Sequence, residues 1–176
     1  MKKLTMLFVA AALMIAFTSA AQAQTASGTL TVTATVAGSI NLVFNSDASG
    51  VALTGSGTNT ATLAFGTVSA FGAVGANVVR TTTASNFTVS SAVDVNVSKT
   101  NSASANYTLT AQLGSADATN TWTVGGVTVT NASAATVTAT GTYAANSNFP
   151  VAITIPFTTA SGTNISNTIN YTATAN

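Results

Sequence analysis

The chain lacks the residue types on which most enzyme and metal chemistry depends. Its 176 residues include no cysteine and no histidine, and its acidic residues are three aspartates. Without cysteine there are no disulfides, and any metal site is restricted to oxygen ligands. General acid–base and nucleophilic catalysis need a positioned base and an orienting partner, which this composition scarcely supplies. We therefore predict a non-enzymatic protein without catalytic residues, cofactor or metal.

Charge is equally scarce. Charged residues are 4% of the chain, and beyond residue 23 only Arg80 and Lys99 are basic, against three aspartates, which gives a net charge of −1. So few cations cannot neutralise a row of phosphates, which excludes nucleic acid as a partner. A low net charge favours association between molecules. We expect the partner to be a second copy of this chain or a related surface subunit.

The longest apolar run lies at the N-terminus, within the three-part pattern of a secretory signal peptide. Lys2 and Lys3 precede an apolar run from Leu4 to Phe17, and Ala21-Gln22-Ala23 fits the small-x-small cleavage pattern. The run is shorter than the ~20 residues that a membrane-spanning helix needs. We predict that residues 1–23 are a cleaved signal peptide. The protein is then secreted through a bacterial periplasm to the cell surface, with no transmembrane helix after cleavage.

What the chain has in abundance is alternation of apolar and polar residues at the period of a β-strand. The stretch "LTVTATVAGSINLVF", residues 30–44, is too long for one ordinary strand. We predict two strands, Leu30–Val36 and Ile40–Phe44, separated at Gly38. Either the first strand pairs within its own domain or it is donated to a neighbour, because both arrangements bury the same face. That face carries Leu30, Val32, Ala34 and Val36.

Further alternating stretches predict an all-β, immunoglobulin-like antiparallel sandwich of about 8–10 short strands. A two-residue Gly125-Gly126 turn in "WTVGGVTVT" predicts a hairpin, and Pro156 predicts an edge position or a strand end. Residues 45–60 read as a loop with a short strand at Val51–Leu53. We divide the chain into the signal peptide, an extension or first strand at 24–37, and a sandwich domain at 38–176. The other predicted strands lie in "ATLAFG", "FTVSSAVDVNVS", "NYTLTAQL", "ATVTATGTY", "VAITIPF" and "ISNTINYTATA".

Few residues qualify as binding candidates. Asp47 and Asp117 lie in "NSDASG" and "SADATN", where one carboxylate each favours Asx turns over calcium loops. Arg80 and Lys99 either mark a binding site or are surface residues, one of which could pair with Asp94. Trp122 is interpreted as a core residue rather than a platform for a sugar.

Three stretches together resemble secreted bacterial surface proteins of the spore coat U and archaic chaperone–usher pilin type. They are "LTVTATVAGSINLVF", "LAFGTVSAFG" at 63–72 and the closing "SGTNISNTINYTATAN", in the order found in that family. The chain departs from the family in having no cysteine. The resemblance implies an incomplete immunoglobulin-like sandwich, completed by the N-terminal strand of the next subunit, and a periplasmic chaperone as a further partner. Its inserted side chains would be Leu30, Val32, Ala34 and Val36.

These observations favour a non-enzymatic structural subunit of a surface filament, pilus or coat, which assembles by strand exchange or edge pairing. Two alternatives stay open. One is a self-contained secreted binding or adhesion module, with polysaccharide as a candidate ligand and Trp122 as its test residue. The other is a small outer-membrane β-barrel, which the scattered aromatic residues and short strands make the third choice.

Overall fold

A computed structural model describes residues 27–176, and the predicted signal peptide at 1–23 lies outside this range. Over residues 27–176 the chain is all-β, with eleven strands and no helix. In the same range there is no helix with the length and apolar character needed to span a bilayer. The strands are β1 (Ser39–Ser46), β2 (Val79–Thr82), β3 (Asn86–Ser91), β4 (Val93–Thr100), β5 (Tyr107–Leu113), β6 (Thr121–Val124), β7 (Val127–Val129), β8 (Ala135–Gly141), β9 (Asn146–Asn148), β10 (Val151–Pro156) and β11 (Ile169–Ala175).

The strands form three antiparallel sheets within the compact unit Val36–Asn176. The first sheet has the order β1-β4-β9, the second β2-β3-β10-β6-β7, and the third β11-β5-β8. Only Ala92 separates β3 from β4, and only Phe149 and Pro150 separate β9 from β10. The first two sheets are therefore joined by near-continuous strands. The third sheet packs against both of them, which makes the unit sandwich-like.

Strand β5 places its inner face under both joined sheets. Tyr107, Leu109, Ala111 and Leu113 alternate along it and are all buried. Tyr107 and Leu109 cluster with Val95 and Val97 of β4. Ala111 and Leu113 belong to the larger cluster, with side chains from β3, β6, β7 and β10. The period-two pattern "YTLTAQL" therefore supplies one side of both core clusters.

Several predictions from the sequence are confirmed. The hairpin in "WTVGGVTVT" is β6–β7, and Gly125 and Gly126 both have positive φ, 57° and 81°, as a tight primed turn requires. Strand β10 ends at Pro156, between β3 and β6, so this proline marks a strand end and not an edge strand. The fold class is all-β and antiparallel, as expected.

Other predictions are wrong. "ATLAFG" forms no strand: Thr62 makes an isolated bridge to Thr54, and Leu63 and Phe65 pack against the core without a ladder. No strand forms at Val51–Leu53 either, although Leu53 is buried. Strands β2 and β9 were not predicted, because "VRTT" and "NSN" lack apolar alternation. They form because they pair with β3 and β4.

Gly141 supports the smaller core cluster by leaving room for an aromatic ring. A Cβ at this position would overlap the ring of Tyr107, which is fully buried. We expect Gly141→Ala to lower the free energy of unfolding by ~1–3 kcal/mol, since an overpacked core must shift its ring or its backbone. Urea unfolding followed by tryptophan fluorescence or circular dichroism measures this change.

Two variants serve as controls for Gly141→Ala. Gly28 has no atom near the position of a Cβ, so Gly28→Ala should leave stability unchanged. Tyr107→Phe keeps the ring and removes a buried hydroxyl that has no hydrogen-bond partner, so it should not destabilise the fold. An unchanged unfolding midpoint in Gly141→Ala would contradict the packing argument.

Candidate functional site

One edge of strand β1 is only partly paired. Its other edge forms a continuous antiparallel ladder with β4, from Ser39 opposite Thr100 to Ser46 opposite Val93. On the free edge, the Phe44 N–H donates to Thr58 O at 2.8 Å, and Gly57 N–H donates to Phe44 O at 2.7 Å.

Peptide groups alternate in direction along a strand, so the N–H and C=O groups of Ile40 and Leu42 point the same way as those of Phe44. Within residues 27–176, no strand pairs with them on that side. The first half of β1 therefore presents an open edge.

Strand β11 also presents an open edge. It pairs with β5 alone among the strands of the described chain. The Asn176 N–H donates to Asn106 O at 3.1 Å, which sets the parity of the ladder. Even-numbered residues of β11 therefore bond to β5. The peptide groups of the odd-numbered residues face the other way, and these are Ile169, Tyr171, Ala173 and Ala175.

The two open edges lie on facing sheets, beside the same apolar core cluster. Leu42 and Phe44 from β1 and Tyr171 and Ala173 from β11 pack against the same core cluster. The rings of Phe44 and Tyr171 meet edge to face, with centroids 5.0 Å apart. Burial raises the pKa of the Tyr171 hydroxyl, so this side chain stays neutral between the two edges. We call this feature the edge groove, and define it by Ile40, Leu42, Ala173 and Ala175.

A crevice lies at the end of the edge groove, where β1 begins and β11 ends. It has a volume of about 180 Å³ and is lined by Gly38, Ser39, Ile40, Ser102 and Ala175. A Cβ on Gly38 would lie 2.8 Å from Asn101 O, so this glycine allows the chain to pass close to the end of β4. The crevice is large enough for one or two aliphatic side chains.

The four residues predicted as donor side chains lie before the sheets. Residues 27–38 have no regular secondary structure. Leu30 is 86% exposed, Val32 81% and Val36 73%, and Ala34 is exposed as well. The chain therefore carries a strand-patterned segment whose apolar face is solvent-accessible.

A tight hairpin between this segment and β1 is disfavoured by the residues that would form it. A two-residue turn at Ala37 and Gly38 requires a positive φ at Ala37 in either primed geometry. Alanine rarely adopts that conformation, because its Cβ clashes with the backbone. In the structure neither residue has a positive φ.

A second candidate region surrounds Asp117. Its carboxylate accepts hydrogen bonds from the backbone N–H groups of Thr119 and Asn120, at 3.0 and 2.9 Å, in an Asx turn. It also accepts from Trp122 Nε1 at 2.8 Å and from the Asn120 side-chain amide at 3.0 Å. Partial burial by itself would raise the pKa of Asp117, but these donors outweigh it and lower the pKa to about 2. The carboxylate has little acceptor capacity left for a cation.

A polar cavity of about 230 Å³ lies beside this carboxylate. Asn120 Oδ1 and Thr159 Oγ1, from two residues that line it, are buried and have no hydrogen-bond partner in the described structure. Such a cavity suits water or a small hydroxylated group. Within residues 27–176, no three acidic, cysteine or histidine side chains lie close enough together to hold a metal ion.

The remaining candidates have structural roles. Trp122 is 6% exposed, so its ring faces are not available to stack on a sugar. Arg80 donates to Ser69 O and Gly72 O, both at 2.9 Å, and fixes a surface loop. Lys99 lies over the Tyr143 ring, 5.0 Å from its centroid, and donates to the carbonyl of Ser104. Neither pairs with Asp94.

Asp47 also forms an Asx turn, in which Oδ1 accepts from the Ser49 N–H at 2.7 Å. Hydrogen bonds from the Ser49 hydroxyl and backbone lower the pKa of this carboxyl as well.

Sequence reasoning missed the contact of Gly57 and Thr58 with Phe44, and the pairing of β11 on one side only. The glycines at 55 and 57 signalled a turn. However, the partner of a strand edge lies far away in sequence.

No protein-family model, curated protein or solved structure matches this chain.

The lowered pKa of Asp117 predicts an acid dependence of stability. Its ordinary value is ~3.9, so the ionised form stabilises the fold above about pH 4, and this contribution is lost as the pH falls towards 2. We expect Asp117→Asn to be less stable than the parent protein at pH 7, and the difference to shrink by pH 2.5. Urea unfolding at pH 7, 4 and 2.5 measures it.

Trp122→Phe is the matched variant, because it keeps an aromatic core residue and removes one donor to the carboxylate. It should show an intermediate acid dependence. Part of the dependence will persist in Asp117→Asn, since the pKa of Asp47 is lowered too. A difference between the parent and Asp117→Asn that stays constant with pH would contradict the role assigned to the carboxylate.

Proposed function

We propose that this protein is a non-enzymatic, secreted structural subunit of a bacterial surface filament, pilus or coat. Subunits assemble by strand exchange: residues 30–36 of one copy insert into the edge groove of the next. The observation that carries the proposal is that one chain contains both an exposed strand-patterned segment and two open strand edges beside one apolar core cluster.

The chemistry of the two parts is complementary. The edge groove offers unpaired peptide groups on β1 and β11, and an inserted strand satisfies them with main-chain hydrogen bonds. The apolar side chains at positions 30, 32, 34 and 36 then cover Leu42 and Ala173 and remove their own surface from water. Neither part carries a charged side chain, so no charge is buried on insertion.

The occupant is a second copy rather than the same chain. The connection from Val36 to β1 is Ala37 and Gly38, and a hairpin there needs an unfavourable backbone conformation at Ala37. Exchange between subunits needs no turn, and it repeats head to tail. A heterologous contact of this kind generates an open filament when the rotation between successive subunits does not close into a ring.

The proposal also includes the topology of the sheets and a periplasmic chaperone as a partner. We assign to the sheets an immunoglobulin-like topology that lacks one strand beside β1 and β11. Open edges pair indiscriminately with other chains, so a periplasmic chaperone would protect the subunit before assembly. The family resemblance seen in three sequence stretches points the same way.

A self-contained polysaccharide-binding module is the second candidate. It draws support from the polar cavity beside Asp117, where Asn120 Oδ1 and Thr159 Oγ1 lack partners. The buried position of Trp122 removes the aromatic platform that this reading would use. The binding-module hypothesis also gives no role to the exposed apolar face of residues 30–36.

The proposal is tested by placing a charge on either face of the donor segment. Val32→Asp puts a carboxylate among the inserted side chains, where an unpaired buried charge costs several kcal/mol. Thr33→Asp adds the same charge on the opposite face. We expect the parent protein and Thr33→Asp to form fibres or oligomers, and Val32→Asp to remain monomeric, as seen by negative-stain microscopy and sedimentation.

Deletion of residues 24–37 separates the two candidate functions. Strand exchange predicts a folded, soluble monomer, whereas a first strand of a self-contained module predicts loss of the fold. A parent protein that stays monomeric at high concentration would refute the assembly proposal. Equal behaviour of Val32→Asp and Thr33→Asp would also refute it.

A further inference from the structure

Part of the edge that the proposed assembly requires is already occupied by the chain itself. Residues 55–62, here called the cover segment, lie in the long connection between β1 and β2. The Gly57 N–H donates to Phe44 O at 2.7 Å, and the Phe44 N–H donates to Thr58 O at 2.8 Å. The Ser46 N–H donates to Ser56 Oγ at 2.9 Å. The cover segment thus pairs with the second half of β1.

The cover segment is a turn and not a strand of the sheet. Its contact with β1 is an isolated bridge between Phe44 and Thr58, and a second isolated bridge joins Thr54 to Thr62. Gly55 and Gly57 have φ values of 83° and 84°, which side chains rarely allow. The Thr58 hydroxyl bonds to Gly55 O at 2.8 Å, which holds the turn together.

The open part of β1 is too short for the donor segment. Residues 30–36 span ~23 Å when extended, at about 3.3 Å per residue. The edge from Ser39 to Val43 spans only ~17 Å by the same rule, because Thr58 is paired with Phe44. A donor strand that pairs along its whole length with β1 therefore meets the cover segment.

Apolar residues after the turn contact the same core as the β11 edge. Ala61, Leu63 and Phe65 are partly buried and pack against the larger core cluster, as Ile169 and Tyr171 do. These three residues repeat the alternation of the donor segment. They form no ladder, so their attachment depends on side-chain packing and on the few hydrogen bonds of the turn.

We propose that the cover segment protects the second half of the β1 edge in the free subunit, and that the donor strand displaces it from Phe44 during assembly. The inference rests on the proposed function and adds its regulation. The two hydrogen bonds lost by Phe44 are replaced by bonds to the donor, so the exchange costs little in hydrogen bonding. The edge is closed against chance partners until a matching strand arrives.

Amide hydrogen exchange tests this displacement in the Val32→Asp protein, whose own donor segment is disabled. The probe is a synthetic peptide with the sequence of residues 28–37. We expect the peptide to slow exchange at Ile40 and Leu42 and to speed exchange at Gly57 at least tenfold, because Gly57 N–H loses Phe44 O. A peptide that carries Val32→Asp is the control and should change neither.

The outcomes separate the two proposals. Slowed exchange at Ile40 and Leu42 with Gly57 still protected overturns displacement and leaves strand exchange standing. No change at any edge residue with excess peptide overturns both.

A disulfide lock gives an independent test in a chain that has no cysteine of its own. Ser46→Cys with Ser56→Cys joins the cover segment to β1 at the point where the Ser46 N–H already donates to Ser56 Oγ. We expect the oxidised form to bind the peptide at least tenfold more weakly than the same protein after reduction. Equal affinity would overturn the proposal.

The disulfide should weaken binding of the donor strand, and a loosened turn should favour it. A variant that loosens the turn tests the proposal without requiring a disulfide to form. Thr58→Val removes the hydroxyl that bonds to Gly55 O, and Thr62→Val is the matched exposed control. We expect Thr58→Val to assemble faster than the parent and Thr62→Val to assemble at the parent rate. Identical rates for both variants would contradict a protective turn.

Discussion

The structure depends on the packing of one strand face, that of β5, against both of the sheets that it faces. Tyr107 and Leu109 fill the cluster under β4, and Ala111 and Leu113 fill the cluster under the five-stranded sheet. With no disulfide and few charges, the chain relies on this apolar contact to hold its layers together. The near-continuous strands on either side of Ala92 keep both clusters in one framework.

Within residues 27–176, the same framework leaves the β11 edge and the first half of the β1 edge without a strand partner, and the proposed function depends on these two edges. Open edges are a hazard in a monomer and an asset in a filament. In the proposed assembly, the exposed face of residues 30–36 supplies a strand, and the turn at Gly57 and Thr58 limits access to the edge that this strand joins. In that proposal, the edge groove, the donor segment and the cover segment act together in assembly.

Several of the few charged and aromatic polar side chains bond to groups of their own chain. Asp117 collects four N–H donors, including Trp122 Nε1, and Arg80 fixes a loop through two carbonyl oxygens. Threonine, serine and asparagine make up much of the rest of the surface. Such a surface has little electrostatic repulsion between copies, which suits close packing in a polymer.

Local patterning in the sequence determined the all-β, antiparallel class, the strand β5 and the β6–β7 hairpin, because alternation and turn glycines act within a few residues. For Pro156 it left two positions open, an edge strand or a strand end, and the tertiary structure decided for the strand end. The alternation of Leu30–Val36 likewise identified the donor candidates. Only the tertiary structure decided which edges stay open, that "ATLAFG" forms no strand, and that Thr58 lies on Phe44. Strand pairing joins residues distant in sequence, and period-two alternation specifies a buried face without naming the neighbour that covers it.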